Sequence, residues 1–299
     1  MLAVKPEWTF YDRGISETLP RGLCFISSPH TPGTPHECHL DTLSHALRTA
    51  SDSRLVPVML GNLFQSPHAA TPALFSSLFR AFRRSLYRPI ANLGSQDKRG
   101  ALLTPDCALW VLAESGAVSV THDARTQTLL IDLEDGPMAL YAVPNGQNVP
   151  EAVESLCPPE RTVVITHEDL DFGEMRPGAR ALHEVRGASL LVNGYLRDTL
   201  GPQVHGGTVC VSLGGTLHQA GGPLVHEPAV WTWRPGQRMP ERHRLRHLPA
   251  APAFALTAVS EEELEIGMAE DGAQDAIYES PVMDFPEQDA LPESDGPSP

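Results

Sequence analysis

The last stretch of this 299-residue chain contains no lysine, arginine or histidine: from Val259 to Pro299 there are 13 acidic residues and nothing to balance them. Setting those 13 aside from the 37 acidic residues leaves 24 against 22 basic ones, so the net charge of −15 shrinks to −2 over residues 1–258. A body without basic excess does not suit a non-specific nucleic-acid binder. No CxxC pair occurs among Cys24, Cys38, Cys107, Cys157 and Cys210, and their number is odd. That argues against a disulfide framework or a cysteine-rich zinc site and predicts buried, reduced thiols. No apolar run approaches the roughly 18 residues needed to cross a bilayer. Residues Met1 to Trp8 lack a basic region followed by an apolar stretch. Both absences predict a soluble, cytoplasmic protein with no membrane partner. There is neither a GxSxG elbow nor a GxxxxGK[ST] loop, so serine-triad and P-loop chemistry have no support.

What is present is an alternation of short apolar runs and amphipathic stretches. Leu23–Ile26, Leu55–Leu60 and Arg88–Asn92 read as strands, and Leu40–Ala50 has helical spacing. Thr71–Leu86 places Leu74, Phe75, Leu78, Phe79, Phe82 and Leu86 on one helix face, with Thr71-Pro72 as the start signal. Thr104-Pro105 opens a further helix reaching Glu114. Segments 118–122, 128–133 and 138–143 read as a small antiparallel run, and 152–156 as a short helix. Strands follow at 162–166 and 189–193, then turn-rich strands from Gln203 to Leu245. This order predicts an α/β body with one or two central sheets sandwiched by helices. Beyond Val259 the acidic, proline-containing tail is expected to be disordered.

Open α/β sheets place ligands just beyond the ends of their strands. The polar blocks there are Ser27-Ser28-Pro29-His30, Gly61-Asn62-Leu63-Phe64-Gln65, Gly94-Ser95-Gln96-Asp97, His167-Glu168-Asp169 and Asn193-Gly194-Tyr195-Leu196-Arg197. Their order and spacing resemble the calcineurin-like metallophosphoesterases, whose blocks read D-x-H, G-D-x-x-D, G-N-H-D, a strand ending in H, and G-H-x-H. The resemblance covers most of 20–250 and extends to THEDLDFGEMRPGAR, HGGTVCVSLGGTLHQAGGP and VHEPAVWTWRPG. It implies a β-sandwich of two mixed sheets flanked by helices, a four-layer α/β/β/α body over 1–258, followed by the tail 259–299.

The same resemblance implies a degenerate centre. Two divalent metals need several carboxylates and imidazoles to hold them and to activate a hydroxide. At the family's ligand positions this chain has Ser28, Asn62, Gln65, Ser95, Tyr195 and Arg197, and Gln96 stands where the catalytic histidine is expected. His30, Asp97 and His167 are retained. The implied function is a binding, scaffolding or regulatory module without a cofactor. The alternative is a metal-dependent phosphoesterase or nuclease with a rebuilt site. It would hold one Mn, Fe or Zn ion on His30, Asn62 and His167, helped by Asp97, Glu168 or Asp169.

Arg197 has two readings. It binds a phosphorylated ligand together with Ser28, Ser95 and Asn62, or it pairs with Asp97 or Asp169 and plugs the centre, which is preferred because an unpaired cation in a cleft is costly. His36, Cys38 and His39 sit in a Pro/Gly-rich stretch read as an ordinary loop rather than a zinc site. Arg80, Arg83, Arg84 and Arg88, and the alternating Arg242, Arg244 and Arg246, read as solvated faces, with nucleic acid a weaker option. The tail offers a surface for a basic protein partner.

Overall fold

A strand covered on both faces reads as an unbroken apolar run. The structure, a computed structural model, describes residues 8–14, 16–31, 37–68, 70–121, 127–216 and 227–245. The side chains of Trp8, Thr9, Glu37, Cys38 and Gln127 are outside that description. The first half of the chain contains β1 (Trp8–Phe10), β2 (Leu23–Ile26), α1 (Glu37–Asp52), β3 (Val56–Met59), α2 (Pro72–Arg83), β4 (Ile90–Ala91), α3 (Ala108–Glu114), β5 (Ser119–Val120), β6 (Gln127–Leu133) and β7 (Gly136–Val143). The second half adds β8 (Thr162–Thr166), β9 (Leu170–Asp171), β10 (Arg180–Ala181), β11 (Leu190–Asn193), β12 (Thr199–His205), β13 (Thr208–Leu213), β14 (Ala229–Trp233) and β15 (Glu241–Arg244).

Two mixed sheets result. One runs β15-β14-β2-β3-β4-β5, with β2 to β5 parallel, and the other runs β1-β6-β7-β8-β11-β13-β12. Alternate residues of β2 and β3, Leu23, Phe25, Val56 and Val58, share an apolar core with Leu140, Val163, Ile165 and Val192 of the second sheet. The opposite face of the first sheet, including Cys24, Ile26 and Met59, packs on Leu43 and Leu47 of α1, Leu78 of α2 and Leu109 of α3. The molecule is therefore α/β with two large sheets.

The expected fourth, helical layer is not found among the described residues. The outer face of the second sheet, including Val164 and Leu191, is covered by Val149, Val153, Phe172 and Val185, which lie in loops. Proline at 144, 150, 158, 159 and 177 interrupts helical hydrogen bonding through this region. The helix expected at 152–156 is absent for a related reason: Ala152 forms a bridge to Arg186, and the Val153 N–H donates to the Arg186 carbonyl (2.9 Å). A single 3-10 turn, Pro159–Arg161, follows.

Two helix boundaries also differ. Thr71 caps α2 as expected, accepting the Leu74 N–H (3.3 Å), but α2 ends at Arg83 and excludes Leu86. Phe79 turns outward, 38% exposed, under the Arg83 guanidinium. Thr104 does not cap α3; the Cys107 N–H donates to the Thr104 carbonyl (2.9 Å), so a tight turn delays the helix to Ala108. Cys24, Cys107, Cys157 and Cys210 are buried free thiols. His39 lies in α1 rather than in a loop, and is buried. Among the described residues no helix is long and apolar enough to cross a membrane. The chain divides into Met1–Ala251 and Pro252–Pro299. The tail 259–299, His36 and Arg246 lie outside the described residues.

Candidate functional site

The polar blocks that follow β2, β3, β4, β8 and β11 meet at one end of the sandwich, where hydrogen bonds cross from sheet to sheet. The loops after β2 and β3 run side by side: the His30 N–H donates to the Asn62 carbonyl (2.8 Å) and the Thr31 N–H to the Leu63 carbonyl (2.7 Å). The Asn92 amide donates to the Val143 carbonyl (3.0 Å), and the Asn145 N–H to the Leu93 carbonyl (2.9 Å), joining β4 to β7. Ser28 Oγ donates to the Gly194 carbonyl, joining β2 to β11. Ser28, His30 and Asn62 adopt φ of 38°, 45° and 50°, so three of the five described non-glycine residues with positive φ lie here. Such backbone is strained and persists only where its surroundings hold it.

His167 is fully buried at the centre of the seam. Its Nδ1 lies 2.9 Å from the Leu60 carbonyl, an acceptor, which places the ring proton on Nδ1. Nε2 is buried without a hydrogen-bond partner. Burial pushes the imidazole pKa down to about 4, and the nearby charges of His30 and Lys98 act in the same direction, so the ring is neutral at pH 7. The Tyr195 ring meets it edge-on with centroids 5.4 Å apart. Gly61 makes this approach possible: a Cβ there would lie 2.5 Å from His167 Nδ1, and its φ of +111° is itself a glycine conformation.

Asp97 is also fully buried, and its carboxylate is used by the backbone. Oδ1 accepts the Phe64 N–H (3.2 Å) and Oδ2 the Gly94 N–H (2.9 Å). Burial raises its pKa to about 6, with the backbone donors limiting the rise. Asn62 Oδ1 accepts the Gln96 N–H (2.9 Å), while the Gln96 side chain receives His30 Nδ1 (3.1 Å). Gly94 packs so tightly on Asn62 that a Cβ would fall 2.1 Å from Oδ1 and 2.2 Å from the backbone nitrogen. His30 is half-buried, and its pKa is lowered by burial first and by the Arg197 charge in addition.

The expected plug is not formed. Asp97 is held by the backbone, and Asp169 pairs with Arg176 (2.7 Å). Arg197 is exposed, and among the described residues no carboxylate lies within 4 Å of it. Ser95 is likewise exposed. Glu168 is turned away from the histidines, accepting the Gly146 N–H and lying 3.7 Å from Arg180. Among the described residues no group of three or more His, Cys, Asp and Glu is placed to hold a metal ion.

The donor set does not fit a pair of divalent cations. Around His30 and His167 the described residues supply the buried carboxylate of Asp97, each oxygen of which already accepts a backbone N–H, and the neutral amide oxygen of Asn62, whereas two divalent cations need several anionic donors. Cavities of about 540, 680 and 200 Å³ are lined by none of Ser28, His30, Asn62, Asp97, His167 and Arg197.

Reading the sequence did not single out Lys98, Asn92 or Asn145. Lys98 is buried, donates to the Asn145 carbonyl and is influenced by Glu168. The signal for the asparagines was available: Asn62, Asn92, Asn145 and Asn193 each end a strand or follow one closely. An amide carries both donor and acceptor, which suits the close of a strand where two sheets must be joined. No protein-family model matches the chain, and a search of curated proteins finds no match.

Proposed function

We propose that the chain is a relative of the calcineurin-like phosphoesterases whose strand-end centre does not hydrolyse. It acts instead as a non-catalytic binding module for a phosphorylated ligand held at Arg197. The observation that carries this reading is that the Asp97 carboxylate accepts the Phe64 and Gly94 N–H groups and the Asn62 side chain accepts the Gln96 N–H, beside a guanidinium with, among the described residues, no carboxylate within 4 Å. One buried carboxylate and one neutral amide oxygen beside a guanidinium supply little negative charge for a pair of divalent cations. A free planar fork with exposed Ser95 nearby in sequence to Gln96 suits a phosphate oxyanion. Strain concentrated at Ser28, His30 and Asn62 supports a functional rather than a purely structural role for this end of the sandwich.

Binding is tested by thermal denaturation with phenyl phosphate. A saturable rise in Tm that disappears in Arg197→Ala supports the reading; the same rise in that variant removes it. One observation favours a second reading. Neutral His167, with Nδ1 committed to a carbonyl and Nε2 unpartnered, has the tautomer of a metal ligand. A single metal would then be retained stoichiometrically and lost in His167→Asn.

A further inference from the structure

A second polar site lies outside the strand-end centre, in the groove between α1 and α2. The groove has a volume of about 680 Å³, within the roughly 300–1,000 Å³ typical of small-molecule sites. Arg48 projects into it from α1, and Arg80 and Arg84 from the end of α2 and just beyond it. Asp41 and Asp52 line the same groove, yet among the described residues no carboxylate comes within 4 Å of any of these three guanidiniums. Arg80 donates Nε to the Ser76 carbonyl (3.1 Å), which fixes the stem and leaves the terminal nitrogens free.

We infer that the α1–α2 groove is a binding site for a compact phosphorylated small molecule of the diphosphate class, gripped by Arg48 from one wall and Arg80 and Arg84 from the other. Cations at the end of α2 are partly explained by the helix dipole. That explanation accounts for Arg80 but not for Arg48, which belongs to the other helix. A bidentate oxyanion would engage guanidiniums from both walls at once. Asp41 and Asp52 on the walls would repel an extended polyanion, and residues 1–258 carry a net −2, giving no long-range attraction for one. A short ligand that places its charge between the arginines avoids both penalties.

This site is independent of Arg197, and its test keeps the two apart. Calorimetry with pyrophosphate at physiological ionic strength, run in an Arg197→Ala background that removes the strand-end site, should give one saturable event. Adding Arg48→Ala/Arg84→Ala should weaken it about tenfold or more. Because all three arginines are exposed, the double variant should melt like the parent, and Arg80→Ala supplies a second, milder loss of affinity. Equal affinity with and without the double substitution overturns the proposal. So does the absence of pyrophosphate binding in the Arg197→Ala background, or binding of a single-stranded oligonucleotide where pyrophosphate shows none.

Discussion

The strand-end seam and the α1–α2 groove are both rich in polar groups, and they treat them oppositely. In the seam, Asp97, Asn62, Gln96 and Asn193 are tied to backbone or to neighbouring side chains, several of them buried. In the groove, three exposed guanidiniums have, among the described residues, no carboxylate within 4 Å. Internal satisfaction stabilises a fold and removes donors from chemistry; groups left open are available to a ligand. Among the described residues Arg197 and the Nε2 of His167 depart from this pattern within the seam, as do the buried hydroxyls of Thr31 and Thr166.

The contrast breaks most severely at Gly94. Gly94→Ala forces a Cβ against the Asn62 backbone at 2.2 Å, and should cost several kcal/mol, on the order of 3 or more, in urea unfolding. An alanine at an exposed position of the groove, Arg84→Ala, should cost about 0.5 kcal/mol or less.

Acid titration gives the next largest effect. His167 has a folded pKa near 4, below its ordinary 6.5, so its neutral form favours the fold; that contribution is complete above pH 6.5 and lost as pH falls toward 4. Asp97 has a folded pKa near 6, above its ordinary 3.8, so ionisation opposes the fold and the cost is relieved as pH falls from 6 toward 4. Each shift corresponds to about 3 kcal/mol, and the two slopes oppose each other between pH 4 and 6. In His167→Asn, unfolding free energy measured across that window should rise on acidification relative to the parent. In Asp97→Asn it should fall more steeply. Parallel profiles would mean that neither group titrates as its burial requires.

A smaller effect is read by NMR. His30 has its pKa lowered by burial and by Arg197, so Arg197→Ala should move its titration upward. Arg84→Ala, in the groove, should not move it. A shift in both or in neither would remove the local coupling.

The strands that build the seam were readable because Leu23–Ile26 and Thr162–Thr166 are unbroken apolar runs, and double-sided burial leaves no other use for them. The convergence of His30, Asn62, Gln96 and His167 was readable from their positions after strands. The partners of those residues were not. Side-chain identity does not reveal that Asp97 turns to the N–H groups of Phe64 and Gly94, or that Asp169 finds Arg176 before Arg197 can. The helix expected at 152–156, for which Pro150 and Glu151 suit a first turn, does not form because backbone pairing of Ala152 and Val153 with Arg186 takes the same hydrogen-bonding groups. Arg48 was overlooked because its relation to Arg80 and Arg84 exists only once α1 and α2 pack together.

The central claim is that the seam binds without catalysing, and metal loading tests it most directly. The purified full chain, equilibrated with Mn, Fe or Zn and passed through a desalting column, should retain well below one equivalent of metal and show no hydrolysis of bis(p-nitrophenyl) phosphate above buffer. One or more equivalents together with turnover that disappears in His167→Asn would contradict it.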